Sequence, residues 1–367
     1  MNYNKIVQGI LDIGEAMLQS GAENFRLEDS FYRMCRSYGF KKSDVFVIPS
    51  NIQVTVETPE GEIITQIRHI ESSEPNFDQL DYLNNLCRYV CQHTPDENEM
   101  REKYLEVINR EPQKRITRYA AGIMGGTGFA VFFGCNLRDA VIAFIVSVMI
   151  VAVGDWLAKR ESNLLVYNGI LAFISEVIII GALKMGIAEH PDRIMIGIVM
   201  LLISGLSTTN GIRDLLQRDF ISGFINIMNS FLGAAGIAFG IGLAIILFHE
   251  GYSDHFILNH SVPIQLLSCT VACTGFALWF KIRGKQVWYN SIGAFFTWAI
   301  YLAVYAVKPS NFLATMIAAG FVGFYAFVMS RVNKAPSTIF LTASVFPLIP
   351  GPNLYYVMYG CVSQDPQ

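Results

Sequence analysis

Asn210, Arg213 and Asp214 fall within about one helical turn in the stretch NGIRDLLQRDF, and Asp214 precedes Arg218 by four residues. A guanidinium presents a planar fork of donors that matches a carboxylate, so Arg213 suits the acidic end of an amino acid. The same spacing fits a local Asp214–Arg218 ion pair, with Asp219 capping the helix that follows. Both readings stand at this level. Ser207, Thr208, Thr209, Ser222, Asn226 and Asn229 surround this element with uncharged hydrogen-bonding groups. Such groups suit a small hydroxylated zwitterion, and they also serve as contacts between helices in lipid.

Glu176 is the acid that lies clearly within an apolar run, NGILAFISEVIIIGALKMG. A charged side chain at the centre of a bilayer costs from roughly 2.5 kcal/mol upward, so Glu176 is expected to face the bundle interior. There it can carry a proton or bond across helices. Asp155 lies close to Lys159 and Arg160 and is expected to pair with them at the membrane surface. The stretch HEGYSDHFILNH concentrates histidines and acids but lacks the H-E-x-x-H spacing of a zinc hydrolase, so no metal site is expected. The chain has no P-loop, no G-x-S-x-G and no dinucleotide fingerprint. Nothing points to a cofactor, to nucleic acid, or to catalysis. Seven scattered cysteines, three of them in the polar N-terminal part, argue against a disulfide framework.

The elements that must hold these residues divide sharply by charge. Residues 1–118 contain 33 charged side chains and the remaining 249 contain 24, in a chain that is 52% hydrophobic. This predicts a small α/β domain over 1–116, on the cytoplasmic side, and a polytopic α-helical membrane part. In the α/β domain, helices are expected at 3–20, 23–38 and 77–110, with strands near 44–48, 51–57 and 63–69. Nine apolar segments follow, at 119–135, 139–158, 167–186, 193–206, 219–248, 262–280, 287–306, 311–330 and 336–360. A crossing needs about 20 apolar residues. They group as a first membrane half of five spans over 117–250 and a second over 258–367 with four. Counted from a cytoplasmic start, inward loops hold nine Lys/Arg and outward loops four, in line with the positive-inside rule.

Two segments are interrupted. The fourth is apolar for only about a dozen residues before Ser204 and Gly205, and the ninth is broken at Pro347, Pro350, Gly351 and Pro352, just before Asn353. Proline removes a backbone donor and lipid offers no replacement, so such breaks belong where protein or a wet cavity can satisfy the backbone. Their matching positions, five spans apart, predict an inverted repeat of five spans with the two breaks facing a transport site. GAAGIAFGIG, with Gly236 and Gly240, is expected to allow close helix packing.

Four stretches in this order resemble the threonine/serine exporter family: SGAENFRLEDSFYRM at 20–34, DVFVIPSNIQVTV at 44–56, NGIRDLLQRDFISGF at 210–224 and FPLIPGPNLYY at 346–356. The resemblance implies two five-span halves in the cell (inner) membrane and export of threonine and serine by proton antiport, with amino acid and protons as partners. With nine segments counted, either a tenth helix is missing from this chain or the C-terminus lies outside. Where the family has Pro-Gly before its Asn-x-x-Arg-Asp element, this chain has Ser204-Gly205. Relatives built from the same halves export succinate-type dicarboxylates, and a membrane-anchored enzyme or sensor is the rival of a different class. A homo-oligomer is left open.

Overall fold

The computed structural model describes residues 2–71, 73–203, 205–248, 261–349 and 351–363. Its N-terminal part begins with α1 (Tyr3–Gln19), started by the Asn2 side chain accepting from the Lys5 N–H at 3.2 Å. Ile6, Ile10, Ile13 and Met17 recur at helical spacing and are buried. Leu27, Phe31 and Met34 do the same for α2 (Asn24–Ser37). Strands β1 (Lys42–Ile48), β2 (Asn51–Glu57) and β3 (Ile63–His69) form an antiparallel sheet in that order. Alternation in β2 buries Ile52, Val54 and Val56 on the face that meets the helices.

The helix expected over 77–110 is two helices, α3 (Phe77–His93) and α4 (Glu97–Ile108). Pro95 lacks the backbone N–H a continuous helix would use, and Thr94 before it takes a left-handed conformation with φ 44°. Asp96 then opens α4 by accepting from the N–H groups of Asn98 and Glu99 at 3.0 and 2.8 Å.

The apolar part continues as α5 (Arg115–Phe132), α6 (Leu137–Leu157), α7 (Leu164–Lys184), α8 (Pro191–Leu202), α9 (Gly205–Leu216) and α10 (Phe220–Phe248). Then come α11 (Val262–Trp279), α12 (Lys285–Val307), α13 (Asn311–Asn333), α14 (Ser337–Val345), a 3-10 turn at Phe346–Leu348 and α15 (Gly351–Ser363). Six of the described helices, α6, α7 and α10 to α13, are long and apolar enough to cross a membrane. The α8–α9 pair, whose axes differ by 57°, makes a seventh if taken as one span.

Close contacts fix the helix directions. A Cβ on Gly236 would meet the Leu165 carbonyl and one on Gly240 the Gly169 carbonyl, so α7 and α10 run parallel with backbones touching, as the glycine spacing implied. The bent α8–α9 pair therefore returns the chain between them. Gly122 lies against Trp279 and Gly128 against Ala272, so α5 and α11 run antiparallel.

The α/β unit sits on one end of the helices, where three of the loop regions rich in Lys and Arg converge. Lys281 pairs with Glu74 at 3.0 Å, Arg283 donates to the Glu111 carbonyl at 2.9 Å, and Gln286 donates to Asp81 at 2.9 Å. Arg26 bonds Ser337 at the start of α14, and Lys159 shares a cavity with Glu74. The Phe77 N–H donates to the Phe280 carbonyl at 3.0 Å, and the apolar core of the unit continues into Ile282, Ile339 and Phe340. Asp155 does not take Lys159 or Arg160 as expected. It pairs with Arg118 at 2.8 Å, because α5 packs alongside α6 and brings that guanidinium across.

Replacing Gly236 by Val forces a side chain into the Leu165 carbonyl and is expected to cost about 1–3 kcal/mol. Thermal unfolding in detergent should show a lowered midpoint, whereas Gly181→Ala, at a position with open space, should leave it in place.

Candidate functional site

The interruption of the fourth apolar segment is built from identifiable parts. α8 has 12 residues and so spans about 18 Å, well short of the roughly 30 Å hydrocarbon core. Its end at Leu202 leaves carbonyls without helical partners. Asn168 of α7 reaches across, donating to the Leu202 carbonyl at 3.5 Å and to the Gly233 carbonyl at 3.2 Å. Sequence reasoning gave Asn168 no role, although an Asn inside an apolar helix was the available signal.

The second interruption meets the first. A Cβ on Gly205 would lie 3.3 Å from Ile349, and Gly351 packs against Met200 and Phe133. Further along, the Tyr356 hydroxyl donates to Asp192 at the start of α8 at 3.2 Å, so α15 runs antiparallel to α8. Pro350, Ser204 and the histidine-rich stretch at 249–260 lie outside the described residues.

Beyond the break, α9 turns back onto α10 at very short range. A Cβ on Gly211 would sit 3.0 Å from the Gly223 carbonyl, and one on Gly223 would sit 2.9 Å from that of Gly211. This crossing presses Asp214 against α10. Its carboxylate accepts from Ser222 Oγ at 2.8 Å and Asn226 Nδ2 at 3.1 Å. Among the described residues there is no Asp214–Arg218 pair: the left-handed turn at Arg218, φ 69°, separates the two, and α10 supplies the partners instead. Asp219 caps α10 as anticipated, accepting from the Ser222 N–H at 3.3 Å.

Two residues of the α/β unit complete the cluster. Glu23, just before α2, forms ion pairs with Arg213 and, at 3.2 Å, with Arg26, and it accepts from Thr338 of α14. Asn24 donates to Ser222 and, at 3.4 Å, to Asp214. The polar ends of this cluster are thus held by opposite ends of the chain. Neither Glu23 nor Asn24 was singled out from sequence as a site residue.

These groups stand beside a cavity of about 740 Å³ between the α/β unit and the break, lined in part by Glu23, Asn24, Ser207, Asn210, Asp214 and Asn226. Asn229 and Glu71 also line it, and among the described residues no Lys, Arg or His does. Thr208 and Thr209 point elsewhere on α9, with Thr209 Oγ1 bonded to the Gly205 carbonyl at 2.9 Å, and Asn353 is exposed. Glu176 is wholly buried in α7 but does not line the cavity. It stands about 18 Å along that helix from Leu164, which does line it.

The family model described as "Putative threonine/serine exporter" matches residues 8–248, and a second, "Threonine/Serine exporter, ThrE", matches 265–367. The chain belongs to the threonine/serine exporter family. It is 23% identical over 377 residues to the "Threonine/serine exporter" of Corynebacterium glutamicum, covering 96% of this chain and 75% of that protein. It is 21% identical over 384 residues to the "Probable threonine/serine exporter" of Mycobacterium tuberculosis (strain ATCC 25618 / H37Rv), covering 100% of this chain and 72% of that protein. No solved structure matches it. The family is one of transporters rather than enzymes, and this member is a membrane protein.

Glu28 of α2 is the group through which the stability of this family member is expected to respond to pH. Burial pushes its carboxyl above the ordinary glutamate range, Asp219 and Asp214 push the same way, and the Val47 N–H at 3.3 Å opposes them. A carboxyl with a raised value stabilises the fold most below the ordinary value of about 4.3 and loses that contribution as pH rises through the raised one. Glu28→Gln should therefore unfold at the same temperature as wild type near pH 4 and at a higher one near pH 7.5, measured by thermal unfolding across that range.

Proposed function

We propose that this chain exports threonine and serine through the cavity at the helix break, by exchange for protons. The observation that carries this reading is the adjacency of Arg213, ion-paired to Glu23, and Asp214, hydrogen-bonded to Ser222, on one turn of α9 beside a cavity whose lining includes amides, hydroxyls and carboxylates. An amino acid brings a carboxylate for the guanidinium and an ammonium for Asp214. Its hydroxyl meets Ser207, Asn210, Asn226 or Asn229. Glu176, buried deeper in α7, carries the proton on the return path.

The α/β unit faces the cytoplasm of a cell (inner) membrane protein in this reading, because the basic loops gather on its side. The two membrane halves form an inverted repeat. In support, α8 touches α5, α6 and α7, while α14 touches α11, α12 and α13.

A succinate-type substrate is disfavoured. Glu23, Glu71 and Asp214 line the cavity, and a dianion would meet their repulsion with Arg213 as the counterweight nearby. An enzyme confined to the N-terminal unit would have no need for the Glu23–Arg213 contact.

Efflux from cells preloaded with threonine, serine or succinate tests this. Wild type should export threonine and serine in a protonophore-sensitive way. Asp214→Asn should cut that flux about tenfold or more, since a hydrogen bond to a charged group contributes about 1.5–3 kcal/mol. Glu176→Gln should abolish the response to protonophore. Efflux of succinate alone would overturn the assignment.

A further inference from the structure

Glu23 and Asn24 are consecutive residues of the α/β unit, and their partners lie about 190 positions away. Between them they present a carboxylate to Arg213 and an N–H donor to Asp214. These are the two polar ends that an amino acid would present to the same pair. Asn24 also takes Ser222, the hydroxyl that supports Asp214. We propose that Glu23 and Asn24 are gate residues that occupy the substrate's binding groups from the cytosolic domain, and that a zwitterionic amino acid binds by displacing them. The proposal rests on the reading that threonine or serine is the substrate.

Three features make the displacement workable. Glu23 has a second cation of its own: Arg26 stands 3.2 Å from Oε2, so losing Arg213 does not strand the carboxylate without a counter-charge. The occupant sits at the cavity: Glu23, Asn24 and Asp214 line it while Arg213 does not, so a ligand arriving there meets the occupying groups first and reaches Arg213 as they give way. The contact also joins both interrupted segments. Glu23 pairs with Arg213 on α9 and accepts from Thr338 on α14, while Arg26 bonds the neighbouring Ser337. Displacing Glu23 therefore loosens its hold on the first and second broken segments together. A contact made only to fasten the domain would have no reason to place these particular groups on the only adjacent cation and anion of α9.

The energetic consequence is competition. While the plug is seated, the binding-competent fraction of the protein is reduced, and the apparent affinity for substrate falls by that fraction. Weakening the plug must then tighten substrate binding, the opposite of what loss of a structural contact or of a substrate ligand would do.

Hydrogen–deuterium exchange on the purified full-length wild type, with and without threonine, reads the plug directly. Threonine is expected to speed exchange in the first turn of α2 while slowing it in α9 and α10. Threonine binding, measured by calorimetry on the same protein, should be at least about threefold tighter in Glu23→Gln. Should Glu23→Gln fail to fold, Asn24→Ala removes the neutral half of the plug without leaving a buried charge unpaired, and the same tightening is expected. If threonine slows exchange in α9 but leaves α2 unchanged or slower, or if the folded variants bind it equally or more weakly, the gate is overturned while the substrate reading stands. If threonine changes exchange nowhere and does not bind, the substrate reading falls and the gate with it.

Discussion

Two opposite charges, Arg213 and Asp214, are placed side by side where an apolar helix has just ended, and the rest of the molecule is arranged to make that tolerable. Neither can be left unpaired in a low-dielectric setting. Asp214 is served by Ser222 and Asn226 only because α9 and α10 approach at the paired glycines Gly211 and Gly223. Arg213 is served by Glu23 only because a separate α/β unit is packed onto the same end of the helices. The break itself is tolerable because Asn168 takes up one of the carbonyls that α8 leaves behind. The helix break, the short α9–α10 turn and the docked domain are thus parts of one solution.

This arrangement explains why the polar domain and the apolar bundle share contacts well beyond a flexible tether. Their apolar cores run together at Ile282, Ile339 and Phe340, and the basic loops of the bundle find acids and carbonyls on the domain. The domain closes one side of the cavity with Glu23, Asn24 and Glu71. Its carboxylates set the sign of the field there, favouring a ligand that brings an ammonium group.

Much of this was legible in the sequence where the signal was local. Strand alternation in IQVTVET, glycine spacing in GAAGIAFGIG, and the cap at Asp219 all follow from a few neighbouring residues. The two broken segments were legible because proline, glycine and a shortened apolar run have direct backbone consequences. The break between α3 and α4 is also written locally, in Thr94-Pro95-Asp96, although helical periodicity over 77–110 suggests one longer helix. What could not be read was pairing across the fold. Nothing near Arg213 names Glu23 as its partner, since that choice depends on how a domain docks 190 residues away. Likewise, helical spacing proposed Arg218 for Asp214 and Lys159 for Asp155, whereas tertiary packing supplied Ser222 and Arg118. Glu176, grouped with the site by its charge, stands apart from the cavity because helix length separates it.

The central claim, that this cavity takes a small hydroxylated zwitterion, is tested most directly by counterflow in proteoliposomes holding the purified protein. Vesicles loaded with unlabelled serine and diluted into trace labelled threonine should accumulate label above equilibrium, and vesicles loaded with succinate should not. Accumulation driven by succinate, with none driven by serine or threonine, would contradict the account.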